Sequence, residues 1–259
     1  MASVFFTLAA ARRTACLALM LWLVGTTPAH ASLLGGLLGP HLIGSAHVVS
    51  NTRALAHFTG ISVEVPAAVE LRQGEVERVT VETDDNLQAE IDTSIEGMTL
   101  KIRQTNPDAT IDTHRLKIII EARKVRSIEL HGTAGFYAAH LHAPSLQLAI
   151  GGSGVASIDS LEGDALSASL GGSGTLRIGR GSLKSVAVNI GGSATVEAGK
   201  VIADNVRINI GGSGHVTLSA RETLTLNAAG SGTVNYYGDP KVTESVIGSA
   251  SLRRLGPIS

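Results

Sequence analysis

Leu146-Gln147-Leu148-Ala149-Ile150-Gly151-Gly152-Ser153-Gly154 is a nine-residue phrase that the chain repeats. It returns as Leu166-Ser167-Ala168-Ser169-Leu170-Gly171-Gly172-Ser173-Gly174, as Val186-Ala187-Val188-Asn189-Ile190-Gly191-Gly192-Ser193-Ala194, and as Val206-Arg207-Ile208-Asn209-Ile210-Gly211-Gly212-Ser213-Gly214, each 20 residues after the last. Weaker copies follow at steps of 18, Ala229-Gly230-Ser231-Gly232 and Ile247-Gly248-Ser249-Ala250. Gly132, within His131-Gly132-Thr133-Ala134, lies 20 residues before Gly152. A fixed period of this length is the mark of a repeat architecture.

The apolar residues keep strict alternation. Leu146, Leu148 and Ile150 precede the second glycine by six, four and two residues, and the same offsets hold Leu166, Ala168 and Leu170, then Val186, Val188 and Ile190. Period two means a strand with one buried face. After each corner a second apolar pair follows, such as Leu176 and Ile178 or Val216 and Leu218. A unit of strand, glycine corner, strand and loop cannot bury its own apolar face. Stacked units can, with each strand pairing in parallel to its copy about 4.8 Å away and like side chains forming ladders. The expected fold is all-β, a single-stranded parallel β-helix with about 20 residues per turn. Gly132, Gly152, Gly172, Gly192, Gly212, Gly230 and Gly248 are the structural corner residues, and positive φ is the expected reason for glycine there. Antiparallel hairpins would explain a glycine corner but not the constant full-unit spacing.

Around this core the remaining segments fall into place. Arg12 and Arg13, the apolar run Thr14 to Val24 and the small-residue pattern Ala29-His30-Ala31 read as an export signal over residues 1–31, cleaved after Ala31. The run is short for a membrane span, so no transmembrane segment is expected after signal removal, an uncleaved anchor being the alternative. Cleavage would remove the sole cysteine, Cys16, and with it any disulfide or thiolate chemistry. Residues 32–56 are expected to be a loose linker. Residues 57–130 read as strands without the period, either an irregular start of the coil or a cap over it, with a turn at Glu96-Gly97. Residues 131–255 are the regular repeats and terminal turn. Residues 256–259 form a tail, and Arg253 and Arg254 read as the start of its fraying. Location in the periplasm or at the cell surface follows from the signal.

The chemistry on offer is sparse. A net charge of -1 does not point to a polyanion, and no nucleic acid is expected as a partner. The corner glycines are followed by Ala156, Leu176, Val196 and Val216 where a calcium-binding repeat needs aspartate, and by strands where a phosphate loop needs a helix. Asp164, Lys184 and Asp204 share one register, giving a column of alternating charge between solvated faces rather than a carboxylate pair for polysaccharide cleavage. His131, His140 and His142 are surface residues with no nearby acidic partner in sequence, so no metal site is expected. Ser153, Ser173, Ser193, Ser213 and Ser231 form a hydroxyl ladder without a matched histidine. No cofactor is expected and no enzyme; long faces of small polar residues suit weak, repeated contact with an envelope glycan or protein. The alternative is a β-helix polysaccharide lyase or hydrolase.

Three features resemble one family. They are Val79-Thr80-Val81-Glu82-Thr83-Asp84-Asp85-Asn86-Leu87, the serial Gly-Ser-Gly corners, and the closing Gly230-Ser231-Gly232-Thr233-Val234-Asn235-Tyr236-Tyr237-Gly238-Asp239-Pro240 with Ser249-Ala250-Ser251-Leu252-Arg253-Arg254-Leu255. Together they resemble the GIN-domain family, described as auto-transporter adhesin head domains of unknown biochemical activity. The resemblance runs from about Val48 to Leu255. It implies a right-handed β-helical head and carries no catalytic residues. No segment of the chain reads as a translocator barrel, so the adhesin description concerns a module.

Overall fold

The computed structural model describes residues 39–258. The signal expected at 1–31 and the start of the linker lie outside the described residues. The strands run β1 (His41–Ile43), β2 (Val48–Ala54), β3 (Gly60–Val63), β4 (Ala68–Gln73) and β5 (Arg78–Asp84), then a 3-10 helix (Asp85–Glu90). They continue with β6 (Ile91–Glu96), β7 (Thr99–Gln104), β8 (Thr110–Asp112), β9 (Lys117–Ala122), β10 (Ser127–Gly132) and β11 (Gly135–His142). The repeats supply β12 (Ser145–Gly152), β13 (Val155–Glu162), β14 (Ala165–Leu170), β15 (Thr175–Ile190), β16 (Thr195–Ile210), β17 (His215–Gly230), β18 (Thr233–Tyr237), β19 (Lys241–Gly248) and β20 (Ser251–Gly256).

These strands coil into a β-solenoid of about 6 turns with ~20 residues per turn. The registers are those that the period demands. Leu148 pairs with Ala168, Ala168 with Val188, Val188 with Ile208 and Ile208 with Leu226, all in parallel ladders. Every one of these side chains is buried. On the other side of the corner, Ala156, Leu176, Val196, Val216 and Val234 form an equivalent buried column. Stacking like on like buries the whole apolar set that one unit alone would leave in water.

The ladders extend below residue 127, but out of chain order. Ile61 of β3 pairs with Ile128 on one side and with Leu100 of β7 on the other. Val69 of β4 likewise lies between Phe136 of β11 and Ile118 of β9. The chain therefore lays down one rung with β3 and β4, detours through residues 74–126 to build the rung beneath it, and then crosses to the upper side. The 57–130 section is part of the coil and also its cap. Three strands close the end in antiparallel fashion, β6 on β7, β5 on β9 and β2 on β5. The linker expectation is corrected in part: β1 and β2 come from residues 32–56, and Arg53 holds the 3-10 helix through Nη1 to Ile91 O at 2.7 Å and Nη2 to Gln88 O at 3.0 Å. At the other end, Arg253 and Arg254 do not fray; they lie in β20 against β18, and Arg254 Nε donates to Gly238 O at 2.6 Å.

A buried carboxylate fastens the cap. Asp84 is fully buried and accepts from Ala46 N at 2.7 Å, Thr113 Oγ1 at 2.7 Å and His114 N at 3.0 Å. These bonds tie β5 to the 44–47 and 113–114 loops. The Thr113 hydroxyl leads in holding the carboxyl below its usual range, with the His114 and Ala46 amides adding to it. The neighbouring Asp85 and Asn86 reach Ser45.

The corner glycines require a correction of mechanism. Of the seven, only Gly132 and Gly248 have positive φ, at 72° and 123°. The others are glycine because of what lies beside them. A β-carbon at Gly152, Gly172, Gly192, Gly212 or Gly230 would collide with the carbonyl oxygen of the corner glycine one rung earlier. Those carbonyls accept the next rung's serine amide: Ser173 N to Gly152 O at 2.9 Å, Ser193 N to Gly172 O at 3.0 Å and Ser213 N to Gly192 O at 2.9 Å. The corner is a close approach of backbone to backbone, which only glycine permits without moving the rungs apart.

At three corners the fourth position obeys a second rule, set by a β-branched residue one rung earlier. A β-carbon at Gly174 would stand 2.5 Å from Ile150 Cγ2, and one at Gly214 would stand 2.8 Å from Ile190 Cδ1 and 3.1 Å from its Cγ2. One at Gly232 would stand 3.0 Å from Ile210 Cδ1. The preceding rung of Ala194 carries Leu170, and that of Ala250 carries Ala228; neither has a methyl on its β-carbon. Leu170 thus leaves room for the Ala194 side chain, whereas Gly154, which also follows a leucine, Leu130, is held to glycine by Ala134 O, 2.8 Å from where its β-carbon would stand. Leu170→Ile should destabilise the coil by about 1–3 kcal/mol through overpacking, and adding Ala194→Gly should recover part of the loss. Chemical denaturation of the four proteins in this cycle checks it; simple additivity of the two changes would contradict the rule.

A second expectation concerns acid. Since the Asp84 carboxyl sits below its ordinary range in the folded chain, its contribution to stability is present at neutral pH and fades as pH falls through and beneath that range. Asp84→Asn should lower the melting temperature at pH 7 and flatten its dependence on pH on the acid side. Thermal melts across that range measure both.

Candidate functional site

The outward faces of β14 to β17 and β19 meet the corners in a groove of about 590 Å³, open to solvent along the rungs. Alternation decides what faces it. The buried residues are Leu170, Ile190 and Ile210, so the residues just before them point out: Ser169, Asn189 and Asn209, followed by Asn227 and Ser245 on later rungs. Parallel register then stacks asparagine on asparagine. Asn209 Nδ2 donates to Asn189 Oδ1 at 2.8 Å, and Asn227 Nδ2 donates to Asn209 Oδ1 at 2.9 Å. Each amide has two N–H donors and two acceptor lone pairs, and the ladder uses only part of that capacity. The rest faces the groove, repeated at the rung spacing.

The groove's floor is the first glycine of each corner. Gly171, Gly191 and Gly211 have no positive φ. A β-carbon at Gly191 would meet nothing within 4 Å; at Gly211 the nearest atom would be Ile190 O at 3.7 Å, and at Gly171 it would be Ile150 O at 4.0 Å. The fold therefore tolerates a side chain there. The corresponding residues of the last two rungs are Ala229 and Ile247, the latter 77% exposed. Three bare rungs followed by alanine and isoleucine leave the groove floor clear in the middle and bounded by an apolar side chain at one end.

The other residues singled out in the sequence do not converge. Asp164, Lys184 and Asp204 do stack: Lys184 Nζ lies 2.9 Å from Asp164 Oδ1, and Arg221 Nη1 lies 3.5 Å from Asp204 Oδ1. The Lys184 ammonium is held above its usual range first by its hydrogen bond to Asp164. Both carboxylates are thus paired with cations on a solvated column outside the groove. His140 pairs across the ladder with Ser160 and His142 with Glu162, whose carboxylate is 4.0 Å from His142 Nδ1, while His131 lies beside Gly151. Among the described residues no three His, Cys, Asp or Glu side chains gather as a metal site would require. The serines of the corners are fixed by their backbone amides rather than by any base. Asparagines 189, 209 and 227 were visible in the sequence as outward residues; the recurrence of one residue type at the repeat step is the signal that marks them as a ladder.

The family model described as "Putative auto-transporter adhesin, head GIN domain" matches residues 57–240. No curated protein matches. Among solved structures, a putative adhesin from Bacteroides fragilis superposes with a TM-score of 0.77 at 21% identity, over 83% of this chain and 100% of its own. A putative lipid binding protein from Parabacteroides distasonis gives 0.68 at 23% identity, over 83% and 99%. A putative adhesin from Parabacteroides merdae gives 0.65 at 18% identity, over 84% and 100%. These likenesses concern the fold.

Adjacent glycines should respond in opposite ways. Gly191→Ala should be neutral or slightly stabilising, because the β-carbon has room and the unfolded chain loses freedom. Gly192→Ala should destabilise by more than about 1 kcal/mol, because its β-carbon meets the Gly172 carbonyl. Denaturant midpoints of the two variants decide the matter.

Proposed function

We propose, from the premise that this chain belongs to the family described as "Putative auto-transporter adhesin, head GIN domain", that it is an exported, non-enzymatic module that holds an extended envelope or surface glycan in the asparagine groove. The observation that carries this reading is the pairing of a repeated amide ladder with glycines that the fold does not need. Sugar hydroxyls take one donor and one acceptor at each amide, and bare glycine rungs let a ring approach the backbone closely. Many weak contacts in register give a chain-like ligand avidity that no single contact supplies. The family description supports contact at a cell surface. Fold likeness alone assigns no ligand.

The rival reading, a β-helix polysaccharide lyase or hydrolase, needs clustered carboxylates on one face. Asp164 and Asp204 stand in a column with Lys184 between them, each within reach of a cation. Eliminative cleavage of a uronate polymer, lost in the Asp164→Asn, Asp204→Asn double variant, would establish that reading instead.

The test of the proposal is a glycan array probed with the mature protein and with Gly191→Leu, Gly211→Leu. The double variant should fold with an unchanged melting temperature and lose binding by about tenfold or more, since two leucines occupy the floor. Equal retention of array signal by the variant would remove the groove from consideration. Cell fractionation should recover the protein in the periplasm or at the outer surface.

A further inference from the structure

A second and larger recess, about 710 Å³, lies where the coil departs from its period. In the regular rungs the inward column before each corner begins with Leu146, Leu166, Val186, Val206 and Leu224, all buried. The rung of β10 starts late. Its first pair is Ser127 with Gln147, so Ser145 and Leu146 have no strand residues beneath them. The residue at that place is Arg126, which is exposed. The detour of residues 74–126 ends here, and the crossing chain leaves the wall open.

The opening is lined by Arg123, Lys124 and Arg126 around the buried Val125. Three cations in four residues are out of keeping with a chain whose net charge is -1. None of the three forms an ion pair among the described residues, whereas Arg72, Arg78, Lys101, Arg103 and Lys117 of the nearby rungs and cap all do. No Asp or Glu lines the recess. The loop is held in place from beneath. Gln73 Nε2 donates to Arg123 O at 3.1 Å and to His142 O at 3.0 Å, and its Oε1 accepts from His142 N at 2.8 Å. Arg123 Nε donates to Glu75 O at 2.6 Å, which orients the guanidinium and leaves its other donors free. The side chains of Ser145 and Gln147 add neutral polar groups to the lining. A recess of about 140 Å³ that includes Glu129 lies between this opening and the asparagine groove, sharing Ser127 and Gln147 with the first and Ser169 with the second; the two larger recesses themselves have no lining residue in common.

We propose that this cleft is an anion-binding site for a phosphate ester. Three unpaired cations match the charge of about -2 on a phosphate monoester better than the single charge of a carboxylate. Arginine supplies a fork of donors for its oxygens. The volume exceeds what one phosphate fills and suits a body the size of a sugar or a glycerol headgroup. The proposal does not depend on the groove or on what the groove holds.

The test uses glucose 6-phosphate, with glucose as the uncharged control, in titration calorimetry, and sedimentation with phosphatidic acid or phosphatidylcholine vesicles. The variant is Lys124→Gln, Arg126→Gln; both side chains are exposed, and Arg123 is kept because it braces the loop. Wild type should bind glucose 6-phosphate and not glucose, less tightly as salt rises, and the variant should bind about tenfold more weakly with an unchanged melting temperature. Binding confined to phosphatidic acid vesicles and lost in the variant would equally support the site, with a lipid headgroup as the source of the phosphate. Failure of wild type to bind either phosphate carrier, or equal binding by the variant, would overturn it.

Discussion

Everything in this structure depends on how closely one rung approaches the next at the corners. A corner carbonyl accepts the amide of the following rung's serine, and the next glycine's Cα passes directly beside it. That contact fixes the register of both flanking strands, since a slip of one residue would turn every buried ladder outward. The apolar columns supply the burial, but they are permissive: leucine, isoleucine, valine and alanine all occur in them. Specificity comes from the backbone contact and, at Gly174, Gly214 and Gly232, from the β-branched isoleucine one rung earlier. Ala194 lies over Leu170, where Gly174, Gly214 and Gly232 lie over isoleucines.

Neighbouring glycines therefore have unrelated reasons for being there. Gly192 is confined by the backbone of the previous rung; Gly191 is confined by nothing in the protein. A composition count treats them alike. Geometry separates a residue that the fold requires from one that the fold would replace without penalty, and the second kind, when it lines a groove with a ladder of amides, directs attention to a ligand. At the cap, geometry likewise gives Asp84, Asp85 and Asn86 a structural task, since their hydrogen bonds go to the loops around Ser45 and Thr113.

Much of this was legible in the sequence because a solenoid turns sequence period directly into spatial stacking. The ladders from Leu146 to Leu226 and the charge column of Asp164, Lys184 and Asp204 could be read from offsets alone. What could not be read was whatever broke the correspondence between chain order and stacking order. Leu100, Ile61 and Ile128 are consecutive in space but not in sequence, so the lower rungs show no period. The corner glycines were visible, but their cause was not, because the colliding atom belongs to another rung. The cations Arg123, Lys124 and Arg126 are plain as a run; that they line an opening follows only from the late start of β10, which is a fact of register.

The corner contact is most directly measured by amide hydrogen exchange. Ser173, Ser193 and Ser213 have exposed side chains, so by surface position alone their amides should exchange rapidly. If each amide is bound to the glycine carbonyl one rung earlier, all three should exchange only through global unfolding, as slowly as the amides of the buried ladders. Fast exchange at these serines, with the flanking strands protected, would mean that the corners are loose turns and that the glycine column does not set the register of the coil.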